Sequence, residues 1–96
     1  MDLKFGYNIS WSSFEEIISR SVEAEKFGFD SLWYHDHLMI PGNAPVFESF
    51  SLLTALATKT NHCKIGQTVM DVSRRHPATI AQYALTLNHI SNGRAF

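Results

Sequence analysis

Apolar residues along the chain switch repeatedly between a compact run and a helical spacing, which predicts alternating strands and helices. Leu3 to Asn8 is a short apolar and aromatic run holding the β-favouring Phe5 and Tyr7, so a buried strand is expected there. Ser13-x-x-Glu16 follows as a capping box, in which each side chain satisfies the other's free backbone amide, and predicts a helix opening at Ser13. Phe14, Ile17, Ile18, Ser21, Val22 and Glu25 continue at helical spacing, and Gly28 is placed to end the helix in the left-handed conformation. Asp30 to His35 repeats the strand signal. A loop with Pro41, Gly42 and Pro45 leads to a second helix over about 47–60, with Phe50, Leu53, Leu56 and Ala57 on one side and Asn61 as a left-handed cap. Cys63 to Met70 reads as the third strand. Pro77 suits the first turn of a third helix, which carries Ile80, Ala81, Ala84, Leu85 and Asn88 and runs to Ile90. Asn92-Gly93 then turns the chain into Arg94-Ala95-Phe96, the beginning of a fourth strand.

The predicted strands start at residues 3, 30, 63 and 94, which are 27, 33 and 31 residues apart. A (β/α)8 barrel of roughly 250 residues allots about 31 residues to each strand–helix unit. The chain is therefore expected to be α/β, a partial TIM barrel with three parallel strand–helix units and the start of a fourth strand. Residues 1–96 read as an N-terminal fragment of a single barrel domain. A doubly wound nucleotide-binding sheet is the competing architecture. Its fingerprint glycines should follow the first strand, and no glycine occurs between Gly6 and Gly28. Three strands alone leave inward faces unfilled and both sheet edges unpaired, so the isolated piece is expected to be poorly stable as a monomer.

Composition narrows the partners. With 45% apolar content, 18% charged residues and a net charge of −1, the chain has no basic field for phosphate backbones or anionic lipid. Nucleic acid and membrane are not expected, and no signal-peptide pattern or spanning apolar run is seen. The single cysteine, Cys63, cannot make an internal disulfide and sits in an apolar stretch, which fits a buried thiol and a cytoplasmic protein. The one basic cluster, Arg74-Arg75-His76, reads as a solvated loop or a structural ion pair.

Barrel chemistry gathers at the C-terminal ends of strands, where loops vary over a packed support. Those ends carry Tyr7 and Asn8, then His35, Asp36 and His37, then Thr68, Val69, Met70 and Asp71. His35-Asp36-His37 is the densest group of proton-handling side chains, because a histidine titrates near neutrality and a neighbouring carboxylate can orient it. In the competing structural reading, one histidine packs under the following loop and Asp36 caps a turn. The spacing His35-x-His37 also resembles the ligand pair of zinc-dependent barrel hydrolases, although there the pair ends the first strand rather than the second. Two ligands do not complete a site, so no metal-binding residues are assigned.

Four segments, in order, carry a resemblance: Ser31-Leu32-Trp33-Tyr34-His35-Asp36-His37; Lys64-Ile65-Gly66-Gln67-Thr68-Val69; Arg74-Arg75-His76-Pro77-Ala78-Thr79-Ile80-Ala81-Gln82; and Leu87-Asn88-His89-Ile90-Ser91-Asn92-Gly93-Arg94. Together they resemble the N-terminal third of the luciferase-like monooxygenase family of flavin- and deazaflavin-dependent oxidoreductases. The Asp36-His37 pair leans toward the branch that uses the deazaflavin coenzyme F-420 (F420), with flavin mononucleotide (FMN) as the alternative. The resemblance implies catalytic roles for His37 and Asp36, and cofactor contacts from Asp36, Asn8, Thr68, Val69 and Asp71. It implies a bulge with a non-proline cis peptide at Thr68-Val69 behind the cofactor ring, where the residues alone read as ordinary β-branched strand positions. It further implies a small-molecule substrate and a homodimer of the full-length chain. The chemistry would be hydride transfer to or from the ring, or flavin-dependent monooxygenation, with the fragment alone inactive. Two other readings stay open: a noncatalytic remnant or assembly partner of a split barrel, and a metal-dependent barrel hydrolase.

Overall fold

The computed structural model describes residues 2–96, so only the Met1 end of the expected 1–96 unit lies outside the described residues. Strand β1 (Gly6–Asn8), helix α1 (Phe14–Lys26), strand β2 (Ser31–Tyr34), helix α2 (Ser49–Lys59), strand β3 (Lys64–Gln67) and helix α3 (Pro77–Ile90) follow in order, with a 3₁₀ turn at Val72–Arg74. The strands pair in parallel in the order β1-β2-β3, with Tyr7 beside Leu32 and Leu32 beside Ile65. A single parallel bridge from Ile65 to Ala95 adds the start of a fourth strand. Three parallel strand–helix units in this order make a partial (β/α)8-barrel arrangement, as the repeat spacing predicts.

Alternation along the strands splits the sheet into two faces. Leu32, Tyr34 and Ile65 point to the helices and are fully buried there with Ile17, Leu53 and Leu56. On the opposite face, Trp33 lies across its neighbours and glycine makes room for it on both sides. A Cβ on Gly6 would stand 2.7 Å from Trp33 Nε1, and one on Gly66 would stand 2.7 Å from Trp33 Cζ3 and 2.6 Å from the Phe96 carbonyl oxygen. The Trp33 indole donates to Ser31 Oγ at 2.8 Å and meets the Phe96 ring edge-on at 4.8 Å.

The helix boundaries depart from expectation in instructive ways. Ser13 Oγ does accept from the Glu16 amide, but the Glu16 carboxylate accepts from the Ser12 hydroxyl, so only half of the capping box forms. Gly28, at φ 99°, supplies the expected left-handed residue after α1. Helix α2 starts at Ser49 rather than 47, because Glu48 serves as its cap and accepts from the amides of Phe50 and Ser51. Asn61 is not left-handed: among the described non-glycine residues only Asn92 has a positive φ. Instead, the amides of Asn61, His62 and Cys63 all donate to the buried Glu25 carboxylate at 2.8 to 3.1 Å. Long-range capture by α1 replaces the local cap. From the other side, Arg94 donates to the carbonyl oxygens of Ala57, Thr60, Cys63 and Ser91 and to Thr60 Oγ1, closing the same turn.

Leu3 and Phe5, expected to be buried, are exposed, since the β1 edge has no further strand among the described residues. The apolar positions of α3 behave similarly. Leu87 is buried, whereas Ala81, Ala84, Leu85 and Asn88 border an apolar groove of about 810 Å³ that α3 shares with α2, β3 and residues 95–96.

Candidate functional site

The C-terminal ends of β1, β2 and β3 meet at one mouth of the sheet, because all three strands run parallel in register. Asn8, Thr68 and Val69 come together there around an open cavity of about 500 Å³, bordered also by Gly6, Trp33 and Gln67. The Thr68-Val69 peptide is cis, and the Val69 side chain is exposed. Three of the residues singled out from sequence thus share one space, and Trp33, which sequence reasoning passed over, borders it.

Just beyond β2, His35 is half-buried and His37 exposed. Both rings pack on Trp11, with centroids at 5.1 Å for His35 and 5.5 Å for His37, and they lie 5.8 Å from each other. Trp11 comes from the loop after β1, and its buried indole N–H has no hydrogen-bond partner. A single apolar aromatic outside any periodic run gave no sequence signal for this role.

Asp36 points the other way. Its side chain is 1% exposed and its carboxylate makes no hydrogen bond to either histidine among the described residues. Instead it accepts from Ser49 Oγ (2.9 Å), the Asp71 amide (2.8 Å), Arg74 Nη2 (2.9 Å) and both Arg75 terminal nitrogens (2.5 and 2.8 Å). Arg75 also reaches Glu48 at 3.1 Å and lies over the Phe50 ring, and Arg74 pairs with Asp71 at 2.7 Å. The basic cluster is therefore a structural ion-pair centre, one of the two readings its sequence allowed. Burial alone would raise the Asp36 carboxyl, but the Arg75, Asp71 and Ser49 hydrogen bonds prevail and hold it well below the usual carboxylate range. Asp71 belongs to this network, caps the 3₁₀ turn through the Ser73 amide, and does not border the mouth cavity.

At the far end of the sheet lies the one group of three potential metal-ligating side chains among the described residues, Glu25, His62 and Cys63. Glu25 is committed to three amides there. Burial and the nearby Glu25 charge push the Cys63 thiol up to about 11, and Cys63 Sγ sits 2.9 Å from the Phe29 carbonyl oxygen. The expectation that Cys63 is a buried thiol holds.

The luciferase-like monooxygenase family profile matches residues 4–96. The F420-dependent glucose-6-phosphate dehydrogenase of Amycolatopsis mediterranei is 35% identical over 99 residues, covering 96% of this chain and 29% of that protein. An F420-dependent secondary alcohol dehydrogenase, solved with an F420-acetone adduct, superposes with a TM-score of 0.90 at 28% identity, over 99% of this chain and 30% of its own. The oxygenating component of a type II Baeyer-Villiger monooxygenase from Pseudomonas putida, solved with FMN, superposes at 0.83 and 25% identity, over 100% of this chain and 29% of its own. The chain thus spans about 30% of the length of the proteins it resembles.

Proposed function

The chain belongs to the luciferase-like monooxygenase family, and from that premise we propose that it forms the ring-facing part of an F420-dependent oxidoreductase, with FMN as the alternative cofactor. The observation that carries this reading is the mouth cavity at the strand ends, where Asn8, Thr68 and Val69 meet. The two histidines of the β2 loop follow the same strand end, packed on Trp11 rather than bordering the cavity. The cavity suits a planar ring: it is open on one side, backed by Trp33, and offers an amide and a hydroxyl as polar contacts. It does not suit an anionic tail, because Arg74 and Arg75 are both committed to carboxylates. The tail would be held by other parts of the full-length protein.

When bound, a deazaflavin supplies the ring carbon that exchanges hydride with substrate, while the protein contributes position and electrostatics. Asn8 and Thr68 orient the ring edge, and Val69 supports the ring from the strand side. His37, exposed at the rim, takes the proton released when a substrate hydroxyl becomes a carbonyl, or returns it in the reverse direction. Asp36 acts from beneath, holding the loop that presents His37, and Asp71 braces that hold through its amide. The substrate class proposed is a small molecule with an oxidisable hydroxyl, as the names of the dehydrogenase relatives suggest. We assign the full-length protein to the cytoplasm as a homodimer; among the described residues no helix is long and apolar enough to cross a membrane.

The test is an absorption titration of the full-length protein with F420 and with FMN, followed by glucose 6-phosphate and 2-propanol as hydride donors. Saturable spectral change with F420, bleached by one of the donors, is the expected result. Tight FMN binding with no response to F420 would reverse the cofactor assignment, and no response to either would overturn the reading.

A further inference from the structure

The loop between β2 and α2 is secured in an unusual way. Among the described residues, 35–47 make no backbone-to-backbone hydrogen bond at all. The segment is held by side chains near its two ends: the Phe47 amide donates to Tyr34 Oη at 3.2 Å, and Asp36 is gripped through both its carboxylate and its carbonyl, the latter by Arg74 Nη2 at 3.1 Å. His37 is the next residue along. Beyond Asp36, its ring has the Trp11 edge and the His35 ring for support.

Within this grip Arg75 stands apart. It alone presents two nitrogens to the two Asp36 carboxylate oxygens, the bidentate geometry that fixes orientation as well as distance. Its own side chain is 10% exposed and is set by α2, through the Glu48 carboxylate at the helix cap and the Phe50 ring beneath the guanidinium. A path of direct contacts therefore runs from the start of α2, through Arg75 and Asp36, to His37. We propose that Arg75 is a positioning residue, acting through Asp36 to hold the His37 imidazole at the place where it meets the bound cofactor and substrate. This rests on the oxidoreductase reading above for its chemical consequence, but its geometric content stands on the contacts alone.

Lysine keeps the charge but not the planar fork, so Arg75→Lys separates orientation from simple ion pairing. In the full-length protein, Arg75→Gln is expected to slow F420 reduction at saturating cofactor by about 100-fold and Arg75→Lys by about tenfold, with the F420 Kd within about threefold of wild type. The His37 ring protons, shifted by the Trp11 ring current and assigned through His37→Gln, should move toward free-histidine positions in Arg75→Lys, while those of His62 stay. That NMR reading needs no cofactor, so it remains decisive if Arg75→Gln does not fold. If wild type responds to neither F420 nor FMN yet the His37 signals move, the oxidoreductase reading fails and the positioning role stands. If wild type turns over but Arg75→Lys leaves both the rate and the His37 signals unchanged, the positioning role is refuted. Equal losses in rate and cofactor affinity would also overturn it.

Discussion

At the N-terminal end of the sheet Glu25 accepts the amides of residues 61–63, and Arg94 donates to three carbonyls around the same turn. At the C-terminal end Asp36 accepts from two arginines, a serine and one amide, and the loop beyond it makes no backbone-to-backbone hydrogen bond among the described residues. Both ends bury a carboxylate, yet they fasten different things. The first grips main chain directly and leaves a turn with nowhere to go. The second grips side chains, and main chain mainly through them, so the residues between its anchors are placed by a few contacts and stay accessible at the surface. That contrast matches the division of labour in barrels, where one end supports and the other carries chemistry.

Removing Asp36 should have the largest effect. Asp36→Ala strips two guanidiniums of their shared partner, so the full-length protein is expected to lose about 4 kcal/mol in urea unfolding, together with F420-dependent activity. Glu25→Ala leaves three amides without an acceptor and should cost about 3 kcal/mol, but with the F420 Kd and turnover of the folded fraction within about twofold of wild type. Activity lost in parallel with stability in Glu25→Ala would erase the contrast between the two ends. A smaller loss, about 2 kcal/mol, is expected for Gly66→Ala, whose Cβ would run into Trp33 and the Phe96 carbonyl. Because it displaces the Trp33 ring behind the mouth cavity, its F420 titration should weaken, which Glu25→Ala should not produce.

Acid should sharpen the comparison further. Glu25 and Asp36 both sit below their ordinary values in the folded chain, in each case because hydrogen bonds outweigh burial. The stability they contribute is thus complete above the unfolded carboxyl range of about 3.9 to 4.3 and is lost as pH falls through the depressed folded values. Unfolding free energy followed from pH 7 to pH 3 should show no pH dependence from these two groups above about pH 5 and a decline below about pH 4. Asp36→Asn should reduce the steepness of that decline by at most about 1.4 kcal/mol per pH unit. An unchanged slope would mean that Asp36 is not held ionised by its arginines.

The alternation of periods revealed the architecture because burial acts on one residue after another: Leu32, Leu53, Leu56 and Ile65 are apolar where the sheet and helices meet. Local caps were only partly readable. Gly28 and Pro77 follow from single-residue backbone preference, whereas the end of α2 is decided by Glu25, 36 residues before Asn61. The site shows the same split. Asn8, Thr68 and Val69 could be placed at the mouth by counting to the end of each strand. The Asp36 partners could not, since Ser49, Arg74 and Arg75 reach it from other elements and nothing in their spacing announces it. Trp11 was missed for a similar reason: it belongs to no periodic pattern, and its significance comes from the two imidazoles that fold against it.

The most direct measurement is a crystal structure of the full-length protein with F420 bound. The account predicts the deazaflavin ring in the mouth of the sheet, against the Thr68-Val69 peptide, in contact with Asn8 and with His37 at its edge, while the Asp36 carboxylate remains on Arg75. A ring seated elsewhere in the barrel, or Asp36 turned away from Arg75 to bind it, would contradict the account.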